Sequence, residues 1–209
     1  MDQKSSSAGF LNTEDINSIW SFAMKQTAEK MRAKNIDSLL HILNSGNRNA
    51  HSLFRYFLAK AFAERLGTCN IGINKIWLFG SVSYGSVDDI RPGSDIDLII
   101  EVDSDMTRSD LYGWFVDLNR DIGEKFNAIM NGSGIKVSGL FDVSEKIFLL
   151  EEIKEKKGFS AAVYSMYTPV NSLFDSSQNP PSQLDVDVQD LATPLIKDNS
   201  SLLALQAAA

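Results

Sequence analysis

The sequence predicts an α+β chain: a small mixed β-sheet covered by helices and preceded by a helical N-terminal segment. Three observations lead there. Apolar residues recur at helical spacing from Ile16 to Leu66. A short run of large apolar side chains, Ile76-Trp77-Leu78-Phe79, then reads as a buried strand. Beyond it, strand-like and helix-like segments alternate.

Taken in order, Thr13 caps a first helix with Glu14 and Asp15 in its opening turn, and Ile16, Ile19, Trp20, Ala23, Met24, Thr27 and Met31 follow at helical spacing. A second, short helix runs near 37–43 and stops at Ser45-Gly46-Asn47. The third carries Leu53, Phe54, Phe57, Leu58, Ala61, Phe62 and Leu66, with Gly67 where a C-terminal cap belongs. Such stripes form core, and the free face of this helical segment suits an acceptor or a second subunit. The strand after it ends at Gly80, where a missing Cβ allows a sharp turn and close approach of a ligand. If Ser81 opens a short helix, its free N–H groups face whatever lies beyond the strand.

The segment 83–93 is rich in turn residues and leads into an alternating run with Asp95 and Asp97 on one strand face. Thr107 or Ser109 then starts a helix carrying Leu111, Trp114, Phe115, Leu118, Ile122, Phe126 and Ile129. A strand over 135–143, a helix from about 145 to 157 closed by Gly158, and a short strand over 161–167 complete the reading. This divides the chain into a helical segment 1–74, a core 75–174 and a flexible tail 175–209 dominated by Ser, Gln, Asn, Pro and Asp.

At 209 residues and 44% hydrophobic content the chain has ample material for a core. Its single cysteine, Cys69, excludes an internal disulfide and agrees with a reducing cytoplasm. Residues 1–12 lack an apolar core and no stretch approaches 18 apolar residues, so neither signal peptide nor membrane span is expected. The net charge of −7 argues against a broad nucleic-acid-binding face. Five aspartates against Lys197 give the segment 175–209 a charge of −4, however, which leaves −3 for the rest and room for a local basic groove.

The chemistry concentrates in one stretch: Gly80-Ser81, thirteen residues, then Asp95-Ile96-Asp97-Leu98. Carboxylates at i and i+2 of a strand lie roughly 7 Å apart at Cβ, close enough to converge on one Mg²⁺ or straddle a pair. Mg²⁺ is commonly held by one or two carboxylates, with waters and substrate phosphates completing its octahedron. The alternative for an isolated Asp-x-Asp is turn chemistry and strand capping. Arg91 either contacts a phosphate or pairs with Asp88 or Asp89, and Tyr84 either stacks on a base or stays an exposed loop residue. A P-loop is excluded, because Ser86-Val87 stands where Lys-Ser/Thr is required after Gly80-x-x-x-x-Gly85. No Rossmann glycine fingerprint, His-Glu-x-x-His or Cys-x-x-Cys spacing occurs.

Phe79-Gly80-Ser81 followed by Ser94-Asp95-Ile96-Asp97-Leu98 resembles the signature of the DNA polymerase β-like nucleotidyltransferase superfamily. The Arg91-Pro92-Gly93-Ser94-Asp95 lead-in is similar to its small members, the minimal nucleotidyltransferases, although Tyr84 stands where many of those have Arg. Phe141-Asp142-Val143, 45 positions after Asp97, is similar to the family's third-carboxylate strand. The resemblance implies a nucleotidyltransferase-type sheet and a Mg²⁺-dependent transfer of a nucleoside monophosphate from an NTP, ATP foremost, to a hydroxyl with release of pyrophosphate. It implies that Asp95 and Asp97 hold two Mg²⁺ ions and that Gly80 and Ser81 bind the β/γ-phosphates. Asp142 would help ligate the catalytic metal and favour loss of the acceptor proton. Its residue-level alternative is a solvent-facing strand end before a helix capped by Ser144. Small members modify proteins, RNA ends or antibiotics, and several act in toxin–antitoxin pairs with a helical partner. The chain is short for an added drug-binding half, which ranks a macromolecular acceptor, protein before RNA, above a small drug. The alternative is a non-catalytic nucleotide-binding antitoxin or regulatory module. Cys69, His41 and His51 lie outside the motif, so no covalent intermediate is expected.

Overall fold

The computed structural model describes residues 10–69, 72–82, 91–154 and 171–175. Three helices open the chain: α1 (Thr13–Lys30), α2 (Ile36–Asn44) and α3 (Arg48–Gly67). Each begins on an asparagine whose side chain accepts from backbone N–H groups of the first turn, namely Asn12, Asn35 and Asn47. The first helix therefore starts on Asn12, one residue before the predicted Thr13, in a reciprocal box with Asp15. Trp20 meets Phe54 edge-on at 5.0 Å, which locks α1 against α3.

The described strands form one mixed sheet. Strand β1 (Ile73–Phe79) lies antiparallel to β2 (Ile96–Val102) on one side and to β5 (Asn171–Asp175) on the other. Strands β3 (Phe141–Asp142) and β4 (Ile147–Leu149) run parallel to β2 and share its other edge, one after the other. Between β2 and β3 the chain makes the long helix α4 (Asp105–Ile129), capped by Ser104. Phe62 of α3, Phe115 of α4 and Phe141 of β3 form one aromatic cluster; Phe62 and Phe141 are 4.5 Å apart. The sheet and the helices thus share a single apolar core.

Three predicted elements come out differently. The expected strand over 135–143 is a strand only at Phe141–Asp142, because the preceding backbone bonds to side chains of α4 rather than to a neighbouring strand. Asn127 both donates to the Val137 carbonyl and accepts from its N–H, at 2.8 and 2.9 Å. The expected helix from 145 starts only at Leu150, as α5 (Leu150–Lys154). Ile147 and Phe148 are buried beside β2, and that burial holds the segment extended. Ser144 accordingly caps no helix; its N–H bonds to Asp142. A further sheet strand, Asn171–Asp175, ends on the first residue of the predicted tail. The predicted strand over 161–167, the Gly158 cap, the loop 83–90 and the tail lie outside the described residues.

Candidate active site

The sheet register decides which predicted residues meet. Phe79 pairs with Asp97 across β1 and β2, and Asp97 pairs with Asp142 across β2 and β3. The end of β1, the start of β2 and β3 therefore lie side by side. Gly80, next along β1, has φ +72°. That conformation suits glycine, and space demands it as well: a Cβ here would lie 2.3 Å from Oδ2 of Asp97. Ser81 and Val82 continue in a turn, with Val82 buried and Ser81 partly exposed. Beyond Val82 the expected helix lies outside the described residues.

Asp97 and Asp142 share one cation. Lys146 Nζ lies 2.6 Å from Oδ1 of Asp97 and 2.5 Å from Oδ2 of Asp142. Lys146 is only 5% exposed, so this contact is shielded from water. Burial pushes the Asp97 carboxyl up, and the charges of Asp95 and Asp142 add to that; the ammonium opposes them without winning. Asp142 feels burial too, but the ammonium and the Ser144 N–H outweigh it and hold its carboxyl below the ordinary value. For Lys146 the two carboxylates overcome the effect of burial and raise its pKa. The two acids shift in opposite directions because Asp97 is the more enclosed and has two acidic neighbours.

Asp95 sits one residue before β2 and is exposed. It contributes to the field at Asp97 but does not join the Lys146 cluster. Among the described residues, no three His, Cys, Asp or Glu side chains gather closely enough to hold a metal by themselves. Two carboxylate oxygens that already converge on one cation nevertheless form a donor set of the hard, all-oxygen kind that Mg²⁺ takes. Water and phosphate oxygens would have to complete the shell.

The loop leading to Asp95 is anchored by a residue that the motif does not include. Arg55, fully buried in α3, donates through Nε to the Ser94 carbonyl at 2.6 Å and through Nη2 to the Pro92 carbonyl at 2.5 Å. Its Nη1 bonds Nδ1 of His51 at 3.0 Å. Because guanidinium only donates, Nδ1 accepts and His51 Nε2–H donates to the Leu43 carbonyl, 3.0 Å away. Burial and the adjacent guanidinium lower the His51 pKa to about 4, so the ring is neutral. The Arg55 guanidinium also stacks 5.2 Å over Phe126. Arg91 and Ser94 close the loop on itself, with the Arg91 N–H donating to Ser94 Oγ at 3.0 Å.

A second anchor fixes Asp142. Asn119 of α4 accepts from the N–H groups of Leu140 and Phe141 at 3.1 and 2.8 Å and donates to the Phe141 carbonyl at 2.6 Å. Sequence reasoning missed Lys146, Asn119, Arg55 and His51, and it set His51 apart from the site. A cue did exist for two of them. His51 and Arg55 stand four apart on a helix face that is otherwise apolar.

A glycine turn beside carboxylates on two adjacent strands is chemically suited to a phosphate tail and a cation. Comparison with protein families narrows this: residues 58–161 match the family described as the nucleotidyltransferase domain. Residues 58–161 thus carry a nucleotidyltransferase domain, consistent with the superfamily that the Gly-Ser and Asp-x-Asp motif resembles, and this supports a general role in nucleotidyl transfer. Comparison with curated proteins and with solved structures gives no match. Among the described residues no helix is long and apolar enough to cross a membrane.

Proposed function

We propose that the protein transfers a nucleoside monophosphate from an NTP, ATP foremost, to a hydroxyl of a macromolecular acceptor, protein before RNA. The observation that carries this reading is the register Phe79–Asp97–Asp142, which sets the Gly80 bend beside two carboxylates. The backbone at Gly80 and the Ser81 hydroxyl bind the β/γ-phosphates, since the positive φ of Gly80 turns the chain sharply beside Asp97. Asp97 and Asp142, with Asp95 at the loop end, hold Mg²⁺. When bound, Mg²⁺ supplies charge neutralisation on the phosphates. The acceptor oxygen forms its bond to the α-phosphorus as the α–β bridging bond breaks; the hydroxyl proton leaves toward Asp142, and pyrophosphate departs. The protein works in the cytoplasm, within a toxin–antitoxin pair whose partner is helical.

The test uses ATP labelled at the α-phosphate, Mg²⁺ and a host lysate. Transfer of label to a macromolecule, absent with Asp97→Asn and absent with γ-labelled ATP, supports the reading; equal transfer by the variant contradicts it. A second reading is a nucleotide-binding antitoxin that acts by contact. It draws on Lys146, whose ammonium already satisfies Asp97 and Asp142. Asp97→Asn would then neutralise the partner as well as the wild type does.

A further inference from the structure

Lys146 is held in place by the backbone. The chain leaves β3 at Asp142, makes a tight turn in which the Lys146 N–H donates to the Val143 carbonyl at 3.0 Å, and enters β4 at Ile147. Glu145 takes φ +57° in that turn, an uncommon conformation for a residue with a side chain. The Ile100 N–H closes on the Lys146 carbonyl at 2.9 Å, so the turn interrupts the pairing of one strand edge and aims a single side chain back along it. That side chain ends between Asp97 and Asp142.

We propose that the Lys146 ammonium is the resident counter-cation of the Asp97–Asp142 pair, and that a divalent cation enters between these carboxylates only by expelling it. Lys146 thereby sets the metal affinity of the site. The inference rests on the reading that this acid pair holds a divalent ion. A Mg²⁺ ligated by the same two oxygens would sit about 2.0–2.1 Å from each. The nitrogen is at 2.6 and 2.5 Å from them, so ion and ammonium compete for one position. Without either, two neighbouring carboxylates, with Asp95 adding to the field at Asp97, would repel one another in a half-buried setting. Expulsion is mechanically feasible because a lysine head moves on a flexible four-carbon stem without any change in the turn. The ammonium so released stays beside the pocket, next to the negative charge that an NTP brings.

The test has two arms. In the wild-type protein, amine acylation followed by peptide mass spectrometry reads the accessibility of Lys146 in EDTA and in saturating Mn²⁺. Electron paramagnetic resonance of Mn²⁺ reads affinity for the wild type and Lys146→Met. The proposal expects Lys146 to be protected in EDTA and acylated severalfold faster with Mn²⁺, and Lys146→Met to bind Mn²⁺ at least about tenfold more tightly. Lys146 that stays protected while Mn²⁺ is bound, or a variant with equal or weaker affinity, overturns it and leaves the acid pair as a metal site intact. Mn²⁺ that binds neither protein, with or without NTP, removes both this proposal and the metal-site reading. If Lys146→Met does not fold in EDTA, the acylation arm decides alone.

Discussion

Replacing Arg55 with Met keeps most of the side chain's apolar length and removes the guanidinium donors that tie α3 to Pro92 and Ser94. Three partners are then left over: the Pro92 and Ser94 carbonyls and His51 Nδ1. Each buried, unsatisfied polar group costs about 1–3 kcal/mol. Pro92 and Ser94 are partly exposed, so water recovers part of that cost, and losing a buried charge removes its desolvation penalty. The expected loss is about 2–4 kcal/mol, which urea unfolding reads as a lower midpoint at unchanged slope. NTP affinity should fall beyond what the unfolded fraction explains, because the loop carrying Asp95 loses its tether. A change below about 0.5 kcal/mol would refute the reasoning, since it would mean that the guanidinium is solvated in the native protein.

Further expectations follow from the same geometry. Gly80→Ala places a methyl on the Asp97 carboxylate; NTP-dependent transfer should be lost while circular dichroism shows a folded chain whose unfolding free energy is lower by about 1–2 kcal/mol. Asp97→Asn should lower the transfer rate by about 10²-fold or more, measured as pyrophosphate release under single-turnover conditions. Asn119→Ala frees three backbone groups of Leu140 and Phe141, and should cost about 2–3 kcal/mol in urea unfolding while weakening the placement of Asp142. His51 titrates near 6.5 when unfolded and at about 4 when folded, so between those values the unfolded chain binds more protons and stability falls on acidification. The share owed to His51 is roughly 3 kcal/mol at the acid end, and the comparison of wild type with His51→Gln across this range isolates it; parallel curves would contradict the assignment.

The sequence made legible what local patterning controls. The helical stripes from Ile16 to Leu66, the strand over Ile76 to Phe79 and the long helix around Phe115 all reappear, because their apolar residues go into the shared core. Gly80 and Asp97 could be paired in thought but not in space. Their contact depends on β1 and β2 being antiparallel in one particular register, and a slip of one residue would turn Asp97 to the other face. The 135–149 region departs from its local pattern for a nonlocal reason. Asn119 and Asn127 of α4 take up hydrogen bonds that a strand would use, and β2 then captures Ile147–Leu149 as a strand where helical spacing alone was visible. Lys146 carries no signal of its own: only the turn at Glu145 makes an ordinary lysine the cation of the acid pair. Arg55 was hidden in an apolar stripe, although a cation between Phe54 and Phe57 needs buried acceptors, and the motif loop supplies them.

The central claim is that the Gly80 bend and the neighbouring acids make a nucleoside-monophosphate-transferring site, and mass spectrometry of a modified acceptor tests it most directly. With ATP and Mg²⁺, the wild-type protein should add one AMP mass to the acceptor and yield one pyrophosphate per acceptor modified, with neither product from Asp97→Asn. An acceptor mass raised by a single phosphate, or AMP addition that survives Asp97→Asn unchanged, would contradict the account.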